Sequence, residues 1–202
     1  MKRTNHCVTL LALMAIPTIA SAQGKPAGFG LKVGAVFANV SNSGVLPNDM
    51  GSRTGFSAGL ALGIPGGVVG FGAEALYVQH GLKSSASANS LKIDYVSIPV
   101  YLRLGIPTPG VQPYAYAGPQ VSFELRCKIG SSDCPDNTFG GGERKKTTYA
   151  GVIGAGLRLG GKAGLTIEGR YVYGLTDLKY GTVTSSDSYK NRDLMILAGV
   201  SF

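Results

Sequence analysis

Lys32, Arg103, Arg158 and Arg170, with Glu74, Glu124 and Glu168, are charged residues set inside runs of alternating apolar and small residues. Each falls on the side of its run opposite the large apolar side chains. Buried together, such groups have to pair, because an unpaired charge in a low-dielectric interior costs several kcal/mol. Four positive against three negative is close to balance, so a linked charge network is expected. Its chemistry is either structural, tying walls together, or that of an ion path. The elements that hold these residues decide between the two.

Other chemistry-bearing residues are few. Residues 1–22 follow the order of a Sec-type signal peptide: Lys2 and Arg3, an apolar run over 8–16, Pro17, then Ala20-Ser21-Ala22 as an A-x-A cleavage site. Cys7 precedes the apolar run and is not placed as a lipoprotein cysteine. An exported chain enters an oxidising compartment, so Cys127 and Cys134 are expected to form a disulfide. Their polar stretch, 126–146, holds no histidine, and two thiols alone do not complete a tetrahedral metal site. His80 is the one histidine beyond the leader. Ser84, Ser85 and Ser87 follow it and Glu74 precedes it on the same strand. A hydrolase needs a base, a nucleophile and an orienting acid fixed together, and this spacing fixes no such set. No catalytic residue, metal or cofactor is expected. Arg144-Lys145-Lys146 is a surface basic cluster, either the solvated base of a loop or a contact for anionic lipid headgroups or polysaccharide. The glycines make no strand-to-helix phosphate loop. The positive residues lack an interleaved aromatic platform, which argues against nucleic acid.

Composition narrows the class. The 202 residues carry 19 Lys+Arg and 11 Asp+Glu, a net charge of +8 that becomes +6 once Lys2 and Arg3 leave with the leader. All 31 glycines lie beyond residue 22. A hydrophobic content of 44% with only 15% charged residues is too apolar for disorder. Glycine interrupts every apolar segment, at about 1 kcal/mol per helical site, which excludes a helical bundle. No stretch after the leader approaches the roughly 18 apolar residues of a membrane-spanning helix. One domain, 23–202, is expected.

The elements that must position the charges are eight segments of period two, near 29–40, 54–64, 69–80, 93–104, 111–125, 147–159, 163–175 and 194–202. In the second, Phe56, Ala58, Leu60, Leu62 and Ile64 alternate with Gly55, Ser57, Gly59, Ala61 and Gly63. The fourth sets Val96, Ile98, Val100, Leu102 and Leu104 against Tyr95, Ser97, Tyr101 and Arg103. Short connections (65–67, 106–110, 160–162) alternate with long polar ones (41–53, 81–92, 126–146, 176–192). An even strand number with this alternation predicts an all-β, eight-stranded antiparallel up-and-down transmembrane β-barrel of the outer-membrane type.

Face chemistry separates membrane from solution. A water-facing surface carries about 25–35% charge, whereas the polar faces here are mostly glycine and serine. They suit the lumen of a small barrel, whose interior is just wide enough for side chains. The charge network is therefore read as structural rather than as an ion path. Phe29, Phe71 and Phe202 fall near one rim of the outward face. Phe37, Phe56, Tyr77, Phe123, Tyr149 and Tyr173 fall near the other, as two aromatic girdles. Pro99 and Pro119 sit inside strands and lack a ladder donor, so bulges or bends are expected there.

Several segments resemble the PorT-like outer-membrane barrels: Asp94-Tyr95-Val96-Ser97-Ile98-Pro99-Val100-Tyr101-Leu102-Arg103, then Pro113-Tyr114-Ala115-Tyr116-Ala117-Gly118-Pro119. Gly154-Ala155-Gly156, the stretch Glu168 to Thr176, the closing Gly199-Val200-Ser201-Phe202, and Ala73 to Tyr77 followed by Gly81 also fit. The resemblance runs through nearly all of the chain after the leader. It implies a barrel of the Gram-negative outer membrane and makes the two prolines family features. It also implies that the strand ending in Phe202 is read by the barrel-assembly machinery. It implies no activity, although the family includes a secretion-linked component. The expected role is structural or surface interaction through the long loops. A narrow pore, a secretion-associated component and a membrane-embedded lipid hydrolase are the alternatives. The expected partners are outer-membrane lipids, the assembly machinery, and an extracellular or secretion-machinery protein.

Overall fold

The structure is a computed structural model that describes residues 28–41, 50–52, 54–63, 68–84, 91–134, 146–160, 163–176 and 190–202. The expected leader, the turn at 65–67, Ser85, Ser87, Arg144 and Lys145 lie outside the described residues. Ten strands follow in order: β1 Gly28–Ser41, β2 Met50–Ser52, β3 Thr54–Gly63, β4 Val69–Ser84, β5 Leu91–Gly105, β6 Val111–Ile129, β7 Ser132–Asp133, β8 Thr147–Leu159, β9 Gly164–Gly174 and β10 Lys190–Ser201. The long strands pair antiparallel with their sequence neighbours. β1 then pairs with β10, from Gly30↔Ser201 to Ser41↔Lys190. The result is a closed eight-stranded antiparallel barrel, with β2 added to the upper part of β4 and β7 to the end of β6.

Alternation drives the closure. Along β9 each residue from Gly164 to Tyr171 switches between buried and exposed. Leu165, Ile167 and Tyr171 point out, while Thr166, Glu168 and Arg170 point in. Leu60, Leu62 and Ile98 are also exposed on the outer wall. At the short-turn end, Gly110 and Gly160 adopt φ of +82° and +96°, a region that costs L side chains energy and glycine little. The two turns touch, with Gly160 N–H donating to Gly110 O at 3.1 Å.

The strands are longer than their hydrophobic alternation suggests. β4 reaches Ser84, β5 begins at Leu91, β6 reaches Ile129 and β10 begins at Lys190, so part of each long polar connection belongs to the wall. Beyond the apolar band no contrast between faces is needed, and the period-two signal fades although the ladder continues. β6 turns into β7 through Gly130, and a disulfide joins Cys127 to Cys134 across this hairpin, Cα to Cα 5.4 Å.

Neither proline carries a bulge. Pro99 pairs with Gln120 in β6, and Pro119 with Gly151 in β8. The ladder is interrupted on the other side of each, yet the register is the same before and after. A missing donor opens the ladder locally without inserting a residue. The register shift in the β5–β6 ladder falls instead between Asp94 and Tyr95.

Candidate functional site

The lumen holds the candidate site, arranged in layers along the barrel axis. Halfway up, Lys32 on β1 faces Glu74 on β4 and both Glu168 and Arg170 on β9. Lys32 Nζ lies 2.7 Å from Glu74 Oε1 and 2.8 Å from Glu168 Oε2. Arg170 Nη2 lies 2.7 Å from Glu74 Oε2 and 2.8 Å from Glu168 Oε1. Each cation thus touches both carboxylates, and the charges cancel within the group. Glu74 and Arg170 side chains are 0% exposed. Three tyrosines complete the knot. Tyr101 donates to Glu74 Oε1 at 2.6 Å, Tyr114 to Glu168 Oε2 at 2.8 Å and Tyr116 to Glu168 Oε1 at 3.1 Å. Arg170 Nε donates to the Tyr116 hydroxyl at 2.8 Å. The rings need space, and glycine supplies it: a Cβ on Gly72 would fall 2.4 Å from the Tyr101 ring, and one on Gly154 2.3 Å from that of Tyr116.

Four of the seven charges read from the sequence are therefore joined directly. The other three stand elsewhere. Arg103 lies toward the short-turn end, its guanidinium 3.9 Å from the centre of the Tyr114 ring. Arg158 is buried at the same end, with Nε donating to Ser201 Oγ at 3.3 Å. Glu124 lies on β6 opposite Tyr95, near the long-loop end, where its N–H donates to Lys146 O at 2.8 Å.

Above the knot the lumen is apolar. Val36, Leu76, Val78, Ala150, Val152, Val172, Met195 and Leu197 form one buried cluster. The sequence predicts glycine, serine and paired ions throughout the lumen; the structure instead fills the lower half with ions, glycines and three tyrosines, and sets the buried Ser57, Ser97 and Ser122 higher. The signal was present in Leu76, Val78, Met195 and Leu197, which break the small-residue pattern of the inward faces, but alternate apolar residues on both faces do not say which face is the lumen.

Above this plug sits a cleft of about 30 Å³ lined by His80, Tyr95, Gln120, Ser122, Thr148, Thr176 and Asp193 among others. That is room for roughly one water. His80 Nε2 lies 3.0 Å from Asp193 Oδ2, and the imidazole meets Tyr95 edge-on. Sequence reasoning gave His80 no partner, because Asp193 is distant in the chain and meets it only across the closed barrel. Ser122 lines the same cleft, but its hydroxyl is shared with Ser97 Oγ at 2.9 Å and accepts from Gln120 Nε2 at 3.1 Å. Glu74 lies below the plug and cannot orient the imidazole. Among the described residues no group of three or more His, Cys, Asp or Glu is placed to hold a metal.

On the outer wall, Phe29, Phe71 and Phe202 are exposed toward the short-turn end, and Phe37, Phe56, Phe123 and Tyr149 toward the long-loop end. Tyr77 packs beside Phe56, ring centres 5.5 Å apart. Lys146 is exposed at the foot of β8.

A family model described as "Outer membrane protein beta-barrel domain" matches residues 8–202. Among solved structures, Neisserial surface protein A is 20% identical, with a TM-score of 0.54 over 88% of this chain and 100% of that one. The outer membrane protein OprG from Pseudomonas aeruginosa is 14% identical, with a TM-score of 0.51 over 88% of this chain and 97% of that one. At these identities the likeness is one of fold. No curated protein matches the chain significantly.

Proposed function

Because this chain belongs to the outer membrane protein β-barrel domain family, we propose that it is a closed outer-membrane scaffold that presents its long connections outside the cell, rather than a pore or an enzyme. The observation that carries this reading is the four-charge knot, in which Lys32, Glu74, Glu168 and Arg170 span the lumen with side chains at most 9% exposed. The apolar plug above it supports the same reading. An ion would have to separate buried pairs and then cross apolar side chains, and both steps are costly. A rigid wall that carries connections is the usual arrangement for surface recognition.

Within the family, the PorT-like type is supported by the segment 94–103 and by Pro99 and Pro119 on the walls. Residues 1–22 are assigned as the signal peptide, and the strand ending in Phe202 as the segment that meets the barrel-assembly machinery. A secretion-associated role remains a resemblance of fold only. Against a lipid hydrolase stands the engagement of Ser122 with Ser97 and Gln120 rather than with His80.

The test is conductance in planar bilayers. Protein that migrates faster on gels before boiling than after should insert without steady conductance steps. Steady open steps in wild type at any holding potential would establish the pore instead.

A further inference from the structure

Lys92 on β5 and Lys128 on β6 stand directly opposite each other. Tyr95 is buried toward the lumen, so the alternation sends Asp94 and Lys92 outward, and their partners Arg126 and Lys128 with them. Opposed side chains on neighbouring strands have Cβ atoms about 4.5–5.5 Å apart, and like charges so placed destabilise the sheet. Asp94 opposite Arg126 is a neutral couple. Lys92 opposite Lys128 is not. Asp133 on β7 faces Lys128 from its other side, but among the described residues neither lysine is in an ion pair.

We propose that Lys92 and Lys128 form a two-pronged site on the outer wall for the phosphate of a phosphorylated lipid headgroup in the outer leaflet. The proposal rests on the outer-membrane reading given above. Its height fits. Val96 lies beside Tyr77 and Phe123 of the upper aromatic collar, and the four residues from Val96 to Lys92 climb about 10 Å along a tilted strand. The headgroup layer of one leaflet is about 5–8 Å deep, and a lysine stem spans the difference by reaching back toward the membrane. The wall below is also suited to a lipid rather than to free phosphate. The register shift at Asp94/Tyr95 adds Leu125 to β6, and Leu125 and Phe123 are 59% and 43% exposed. Acyl chains of the same molecule would lie against them. Arg126 adds positive potential between phosphate and chains, and Asp94 and Asp133 keep the local excess of charge to one positive unit until the anion binds.

The experiment measures lipid retained by the full-length protein, folded in neutral sugar detergent, by native mass spectrometry. The probes are lipid A carrying its phosphates, lipid A stripped of them, and inorganic phosphate. Wild type should retain phosphorylated lipid A about tenfold more tightly than Lys92→Gln/Lys128→Gln. The two proteins should not differ toward the stripped lipid, and millimolar phosphate should not displace the lipid. Lys92→Glu is the decisive variant. It pairs with Lys128 and has Gly81 on its other side, so its melting temperature in lipid-free detergent should equal or exceed that of wild type while retention is lost. Equal retention by wild type and the double variant overturns the proposal, as does displacement by inorganic phosphate. Heat-modifiable migration of the same samples separates the failures: a barrel that shifts on boiling but does not discriminate the lipids defeats only the headgroup site.

Discussion

Each carboxylate of the lumen knot serves two cations and at least one tyrosine, so removing one member leaves several groups buried without their partner. Glu74→Ala takes from Arg170 and Lys32 one of their two anions and strands the Tyr101 hydroxyl. Breaking a buried pair in this way costs about 3–5 kcal/mol, whereas replacing both partners with apolar residues of similar volume is often close to neutral. Glu74→Ala and Arg170→Met should therefore each lower the stability measured by urea unfolding in lipid vesicles by about that amount. Glu74→Leu/Arg170→Met, which leaves Lys32 paired with Glu168, should lose less than either single variant. Additive losses would mean that the charges act independently.

Strand by strand, glycine has two distinct uses. On inward faces it makes room for rings: Gly72 lies under Tyr101 and Gly154 under Tyr116. On the outward face nothing lies within 4 Å of where a Cβ on Gly151 or Gly169 would be. Gly72→Ala and Gly154→Ala push a tyrosine off a carboxylate and should destabilise the fold by about 1–3 kcal/mol. Gly151→Ala and Gly169→Ala should be neutral or stabilising by up to about 1 kcal/mol, because alanine is less costly to order in a strand. Thermal melting of the four variants in one detergent checks both halves, and equal effects on the two faces would contradict the assignment of inside and outside.

For the molecule as a whole, the inversion of a soluble barrel is the governing feature. Leu60 is exposed on the wall at the level of the knot, since its neighbour Gly59 pairs with Lys32. An arginine facing lipid at the bilayer midplane costs about 2–4 kcal/mol. Leu60→Arg should lower stability by that amount in bilayers, and hardly at all if this face met water. Leu76→Ala opens a cavity in the plug instead and should cost about 2–5 kcal/mol in bilayer or detergent alike. The pair of measurements distinguishes a lipid-facing wall from a packed interior.

The strand faces were legible in the residues alone because period two allows only two outcomes, and Leu165, Ile167, Thr166 and Glu168 settle them for β9 without knowledge of its neighbours. The strand count and the lengths of the connections then implied closure. Strand ends were not legible, since from Gly81 to Ser84 and from Arg126 to Ile129 no lipid enforces a contrast between faces. Nor was the division of the lumen into a knot, a plug and a cleft. That Lys32 meets Glu168, or His80 meets Asp193, depends on which strands face each other across the axis and at what height. Closure and stagger set that relation for the barrel as a whole, and no local run of residues contains it.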